Sequence, residues 1–467
     1  MLTQAHTPPI DFGDRAAVRK LQRDKLATQL VRVYEQSPYY REKFKRHGVD
    51  PYAFESLDQF GQYPLFDKAE WRQSQEQSIR ELRHPFGMHI TCDPKKVIRI
   101  SSSTGTTGKP TFQGYTERDR QNATIVGRRL AEIGCLRPGD VVLHGFVISM
   151  WIAGFPVADL MQSIGACLVP IGALSGIERF AQIAKEVFPV QLNCTPSFAD
   201  HLIKNLPEKA GIEAADLGIQ RLWLAGEPGG SIPDVRERLS KGFGGARVYD
   251  WIGATGGSFV SSISCDAHDG LHFMAEDYVL LEVIDPKTLE PLPLEDGVIG
   301  EIVFTGLEKE CAPMIRWRDG DVVEVKMSPC ACGRAGLRYF IRSRADDMLL
   351  VRGVNVFPPA IKDIVESFRP RVSGTIRILL DAPPPVVEPP LRVHVELAEA
   401  LPEPQRLELS DAIAAKIRNL LRFKAAIELV PPGTYAPAMA QSNYKAQLIE
   451  RLYQTRNHRE GQRDDDG

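Results

Sequence analysis

The middle of the chain alternates short apolar, β-rich runs with longer segments of helical periodicity. The runs are VVLHGFV from Val141, ACLVPIG from Ala166, VQLNCT from Val190 and RLWLAG from Arg221, with segments such as GIERFAQIAKEV between them. Apolar runs bounded by turn residues read as buried strands, and their alternation with amphipathic helices predicts α/β layering with at least one largely parallel sheet. Past about Asp346 the texture changes to a smaller αββαβ pattern: a helix over PPAIKDIVESF, strands IRILL and LRVHVEL, a helix from Glu403 to Leu421, and the strand AIELV. The proline-rich DAPPPVVEPP between the two strands reads as an extended loop. The expected organisation is a large, multi-layered α/β body over residues 1–345, a small α+β lid over 346–455, and a polar tail over 456–467 that has nothing to bury and is expected to be disordered.

Composition narrows the function. A chain of 467 residues, 43% hydrophobic and 25% charged, has the makeup of a globular protein of about two or three domains. Its formal net charge of -3, from Lys+Arg 57 against Asp+Glu 60, gives no general electrostatic reason to bind nucleic acid or an anionic membrane, so the expected partner is small. The opening MLTQAHTPPIDFGDR lacks a basic segment followed by an apolar core, and no secretory signal is expected. The stretch GFVISMWIAGFPVADLM, Gly145 to Met161, approaches membrane-spanning length. It carries Pro156 and Asp159, however, and falls short of the ~20 apolar residues a span needs, so it reads as a buried helix or a pocket wall. Eight cysteines over this length do not make a disulfide framework, and a cytoplasmic protein with reduced thiols is expected. Cys92, Cys135, Cys167 and Cys194 sit in apolar or strand-like settings and read as core.

Candidate chemistry begins at SSSTGTTGKP, Ser101 to Pro110. Glycine lets backbone N–H groups close around oxygens and the lysine adds charge, a combination suited to phosphate. The spacing is not that of a Walker A loop: Ser103 stands where the first glycine belongs and Pro110 follows Lys109. The loop lies between the strand-like KVIRI and TFQGYT, which predicts a hairpin clasp rather than a strand-to-helix cradle. A plain Ser/Gly linker is the alternative, but a linker need neither join two apolar strands nor end in Gly-Lys-Pro.

At these residues the chain resembles the adenylate-forming enzymes, in particular their phenylacetate–CoA ligase-like branch, where such a loop holds the β- and γ-phosphates of ATP. The resemblance carries that role to Ser103, Thr104, Gly105, Thr106, Thr107, Gly108 and Lys109. Further motifs follow in the family's order. SPYYREKFKRHGVDP is similar to the branch's N-terminal helix region, and LAGEPGG places Glu227 and Pro228 beside the adenine. MIRWRDGDVV puts Asp321 on the ribose hydroxyls, a task that suits a carboxylate because it accepts both protons. IRSRADDMLLVRGVNVFPPAI adds Arg344 at the ribose and makes Asp346 the hinge between large and small domains, while AQSNYKAQLIERL makes Lys445 the catalytic lysine. The resemblance spans about residues 30–455 and implies the adenylate-forming enzyme fold.

Two motifs depart from the family's pattern. Where members carry Tyr-Gly-x-Thr-Glu, this chain has YDWIGATGG: Ile252 takes the aromatic position, Thr255 the threonine that contacts the α-phosphate, and Gly256 the glutamate that helps hold magnesium. In a shifted register Tyr249, with Asp250 next to it, supplies the aromatic face of the nucleotide pocket, and Mg²⁺ is then held mainly by ATP. In the lysine motif Tyr444 replaces a glycine and Gln441 an arginine, which predicts a stiffer loop.

The implied reaction is ATP-dependent activation of a carboxylic acid to an acyl-adenylate, then transfer to coenzyme A. Phe146, Trp151 and Phe155 as walls, with Ala225, Gly226, Gly253 and Ala254 as a floor of small residues, suit an aryl or arylacetic acid better than a long chain. Each aromatic taken alone reads more readily as core than as pocket wall. Transfer to a carrier-protein thiol or an amine is a second reading, and a non-catalytic nucleotide-binding descendant a third; a homodimer stays open. Cys265 and His272 in CDAHDGLH with Cys330 and Cys332 in PCACGR form a Cys3His set suited to structural Zn²⁺, with His268 or Cys311 as substitute ligands. Free buried cysteines beside a loop histidine are the alternative. Some relatives in the branch carry zinc at corresponding positions.

Overall fold

In a computed structural model of the chain, the residues described are 11–103, 110–254, 258–345, 349–351, 354–382, 386–435 and 448–453. The expectations for Thr104 to Lys109, Thr255, Gly256, Asp346, Gln441, Tyr444, Lys445 and the tail 456–467 concern residues outside these ranges. Backbone packing divides the chain into two compact units, Met1–Gly226 with Leu239–Phe340 and Glu227–Arg238 with Ile341–Gly467.

The larger unit is organised by a twelve-stranded sheet. Its parallel half runs Cys167–Val169, Val141–His144, Gln191–Cys194, Arg221–Leu224, Arg247–Ala254, and the first four are the apolar runs of the sequence. The helices Phe155–Ile164, Ile177–Val187, Pro196–Ala210 and Pro233–Gly242 connect them. Their periodicity explains them: Ile177–Val187 buries Ile177, Phe180, Ala181 and Ala184, an i, i+3, i+4, i+7 stripe. Pro196–Ala210 starts where Thr195 accepts a hydrogen bond from Phe198 N at 3.1 Å, with proline at its first turn. Beyond Arg247–Ala254 the sheet turns antiparallel through Ser258–Ser264 and Leu271–Phe273 and ends on Pro291–Leu292.

Connections leave Val141–His144 toward one edge and Gln191–Cys194 toward the other, so these adjacent strands form a switch point. Open α/β sheets bind ligands in the crevice beyond the carboxyl ends of such strands.

The strands Arg99–Ser103 and Thr111–Tyr115 pair antiparallel, with Ser103 opposite Thr111. Ser102 N donates to Met150 O at 2.7 Å, and Arg99 pairs with Asp159 at 3.0 Å. That ion pair accounts for the acid inside the apolar Gly145 to Met161 stretch, which is helical only from Phe155. Cys194 is buried and Cys92 and Cys135 are partly buried, but Cys167 is exposed, not core: it opens the sheet's edge strand.

The smaller unit has a four-stranded sheet in the order Ala425–Val430, Leu391–Leu397, Val372–Leu380, Ile449–Arg451. The helices Pro358–Glu366 and Glu403–Leu421 join its core, the second through Leu409, Ile413 and Ile417. The αββαβ order is thus present. The proline-rich loop adds a two-residue strand, Val386–Val387, parallel to Leu349–Val351. Arg238 reaches Glu366 at 3.5 Å, which ties the Glu227–Arg238 segment to this unit. Among the described residues no helix is long and apolar enough to cross a membrane.

Arg129, on the helix Glu117–Ile133, makes a bidentate pair with Asp277 at 2.7 and 2.9 Å, with both side chains 1–2% exposed. Asp277→Asn leaves the guanidinium charge buried without its counter-charge. The expected loss is about 3 kcal/mol of unfolding free energy in urea titrations, with an unchanged slope.

Candidate functional site

Several residues singled out in the sequence stand at the carboxyl ends of the parallel strands. Phe146 follows Val141–His144, and Ala225 and Gly226 follow Arg221–Leu224. Gly253 and Ala254 close the strand Arg247–Ala254. The Phe146 ring is buried and meets Trp151 edge-on at 5.4 Å. Gly226 has φ +92°, and a Cβ there would lie 3.2 Å from the Trp151 ring and 3.5 Å from Thr195 Cγ2. Trp151, Phe146, Ala225 and Gly226 therefore form one aromatic-over-small arrangement.

Two further members were not singled out in the sequence. Trp251 meets Phe146 edge-on at 6.0 Å, and His144 does so at 5.5 Å. The available signal was strand alternation for Trp251, which lies two residues from Tyr249 in one strand and shares its face, and for His144 its place two residues before Phe146 at the strand's end. Phe155 is outside the group. It is 53% exposed at the start of its helix, with the Arg99 guanidinium 4.8 Å above its ring.

The residues assigned to the nucleotide divide between the units. Ser103, Tyr249, Asp250 and Asp321 belong to the larger; Glu227, Pro228 and Arg344 belong to the smaller. Glu227 and Asp321 are buried, Pro228 is exposed, and Asp250 and Arg344 are half-buried. Ser103 ends the strand that leads into the Ser/Thr/Gly loop. Tyr249 does not offer an open aromatic face. It is fully buried, its hydroxyl lies 3.0 Å from Asp266 Oδ1 and 3.6 Å from Cys135 Sγ, and burial pushes its pKa above the usual phenol range. The strand's alternation turns it into the core, on the face opposite to Asp250.

Cys265, His272, Cys330 and Cys332 converge from three separate segments, with all four candidate ligand atoms within 4.8 Å of one another. Cys265 Sγ lies 3.7 Å from Cys330 Sγ, and Cys332 Sγ lies 3.4 Å from His272 Nε2. A tetrahedron with Zn–S of about 2.3 Å and Zn–N of about 2.0 Å has edges of roughly 3.5–3.8 Å, so the donor set matches in type and these two separations match in size. Gly333, at φ +82°, closes the Cys-x-Cys turn through its amide to Cys330 O at 2.9 Å. Burial pulls His272 down to about 4, helped by Arg338 and Arg334, and pushes the Cys265 thiol up to about 12. Neither substitute is a member. His268 donates its amide to Cys265 O but lies outside the four-residue group, and Cys311 is buried beside Cys92.

No family model matches the chain. It is 30% identical over 446 residues to a phenylacetate–coenzyme A ligase of Thermus thermophilus, an alignment covering 92% of this chain and 96% of that one. The chain belongs to the phenylacetate–coenzyme A ligase family. An Escherichia coli phenylacetate–coenzyme A ligase is 28% identical over 445 residues, covering 93% and 95% of the two chains. A solved structure of a 2-hydroxyisobutyryl-CoA ligase in the postadenylation state, in complex with 2-HIB-AMP, superposes with a TM-score of 0.84 at 25% identity over 98% of this chain and 97% of that one. The resemblance read from the ordered motifs is borne out for family and for fold.

Gly226→Ala combines a positive φ with the close approach of Trp151. It is expected to cost about 1–2 kcal/mol in denaturant unfolding and to alter the intrinsic tryptophan emission of the folded protein.

Proposed function

We propose that this chain is an ATP-dependent, AMP-forming aromatic acid–CoA ligase that works in the cytoplasm. The observation that supports it most is near full-length kinship with phenylacetate–coenzyme A ligases. The aromatic group around Phe146, at the carboxyl edge of the parallel strands, fits the same reading.

In the first half-reaction a carboxylate oxygen of the acid forms a bond to the α-phosphorus of ATP, and the bond to the β-phosphate oxygen breaks to release diphosphate. Lys445 bridges carboxylate and phosphate oxygens, and Thr255 holds the α-phosphate. The loop from Ser103 to Lys109 grips the departing diphosphate. Each group acts where charge develops, so catalysis is mainly positioning and neutralisation. Glu227 and Pro228 border the adenine, and Asp321 and Arg344 hold the ribose. ATP would bring Mg²⁺, which would supply neutralisation of phosphate charge.

The small domain, residues 346–455, then turns about Asp346 and withdraws Lys445. The CoA sulfur attacks the acyl carbon of the mixed anhydride and AMP leaves with the bonding pair. The acyl ring packs against Phe146 and Trp151. Cys265, His272, Cys330 and Cys332 would hold a structural Zn²⁺, which would supply a cross-link between the Cys330 to Cys332 turn and the strand Leu271–Phe273 rather than chemistry.

Two outcomes test this reading. Lys445→Ala is expected to lower acid-dependent ATP–diphosphate exchange by at least about 100-fold while equilibrium ATP binding persists; unchanged exchange refutes the assignment. Metal analysis of fresh protein is expected to find about one zinc per chain. Cys330→Ser is expected to lose that zinc and several degrees of melting temperature, with a smaller change in turnover; zinc-free wild-type protein refutes the site.

A further inference from the structure

The parallel register sets His144 opposite Asn193 on neighbouring strands, so their side chains stand on one face of the sheet. Both residues are fully buried. Neither ring nitrogen of His144 meets a hydrogen-bond partner, and neither does Asn193 Nδ2. Such groups are rare in folded proteins, because burial strips their water and returns nothing. The indole Nε1 of Trp251, whose ring is edge-on to the same Phe146 as His144, is a third buried donor without a partner.

A chain of hydrogen bonds sets the orientation of Asn193. Arg221 Nη2 donates to Asp140 Oδ2 at 2.6 Å, Arg221 Nε donates to Gln191 Oε1 at 3.1 Å, and Gln191 Nε2 donates to Asn193 Oδ1 at 2.8 Å. A guanidinium only donates, so Gln191 must turn its oxygen to Arg221 and its NH2 to Asn193. Asn193 is left presenting its own NH2. His144 is neutral at pH 7: burial pulls it down to about 4 against the opposing influence of the nearby Gly154 main chain, with which neither ring nitrogen makes a well-formed hydrogen bond. A neutral imidazole offers one N–H and one bare nitrogen.

The unpaired groups are thus several N–H donors and a single acceptor. A hydroxyl complements them, since its oxygen accepts twice and its hydrogen donates once. An amino substituent, with two hydrogens and one weak lone pair, complements them less well, and an unsubstituted ring leaves every one unpaired. We propose that His144 and Asn193 form a polar subsite for a hydroxyl on the ring of the acid, which makes hydroxy-substituted aromatic acids the preferred substrate class. This rests on the reading of the aromatic group around Phe146 as the acyl site.

The test is kcat/KM for AMP release with matched aromatic acids, unsubstituted, amino-substituted and hydroxylated at each ring position, in the presence of ATP and CoA. The best hydroxy acid is expected to exceed its unsubstituted parent by about 10- to 100-fold, with its amino counterpart between them. Asn193→Leu and His144→Phe are each expected to bring the hydroxy-to-parent ratio to within about threefold of one, a change that a purely structural role does not produce. Parents equal to or better than their hydroxylated partners overturn the proposal while leaving acid activation intact, and this is the result if bound water alone completes the pair. No AMP from any acid overturns the acid-activation reading itself, and the subsite falls with it. If both variants fail to fold, the wild-type ratios decide.

Discussion

The reversal of the chain about the strand Val141–His144 is the constraint on which the larger unit's site depends. From this strand the chain departs to one edge, at Cys167–Val169, and returns on the other side at Gln191–Cys194. Main-chain hydrogen bonds hold the junction: Gly145 N donates to Asn193 O at 2.7 Å and Gly172 N to His144 O at 2.9 Å. A side chain at Gly145 would crowd Asn193 O and the Phe198 ring, both 3.2 Å from its Cβ. Phe146 therefore leaves the sheet from a fixed point, and the other aromatics assemble around it.

The same geometry couples two regions that are far apart in composition. The strand leading into the hydroxyl-rich loop shares a hydrogen bond, Ser102 N to Met150 O, with the segment that carries Trp151. The Arg99–Asp159 ion pair fastens that strand to the helix Phe155–Ile164. Both ties lie within the larger unit, so the base of the loop and the aromatic wall are anchored to the same frame. An ion pair that is 14% and 25% exposed contributes more to registering these pieces than to net stability.

The Cys3His group follows a different logic. Three thiols and an imidazole gathered from residues 265, 272, 330 and 332 gain little from one another as protonated neutral groups, and burial opposes ionisation of Cys265. A dication reverses that preference, because a thiolate beside it is strongly favoured. The arrangement therefore suits a cation better than it suits four neutral groups.

Much of the fold was legible in one dimension, because strand and helix periods leave a direct record in the apolar pattern. The four parallel runs and the αββαβ order of the smaller unit are local consequences of that record. Cysteine and histidine positions likewise picked out the four residues that the fold gathers, since ligand chemistry restricts residue types. Side-chain direction was harder to read. Tyr249 turned into the core, Phe155 turned to solvent under Arg99, and Cys167 fell on an edge strand, because each outcome depends on which neighbour the sheet supplies. The sequence by itself determined the elements, their order and the family. Only the tertiary structure decided that His144, Asn193 and Trp251 share one face with their polar atoms unpaired, since parallel register between strands about fifty residues apart is a property of the assembled sheet and is written in no local pattern.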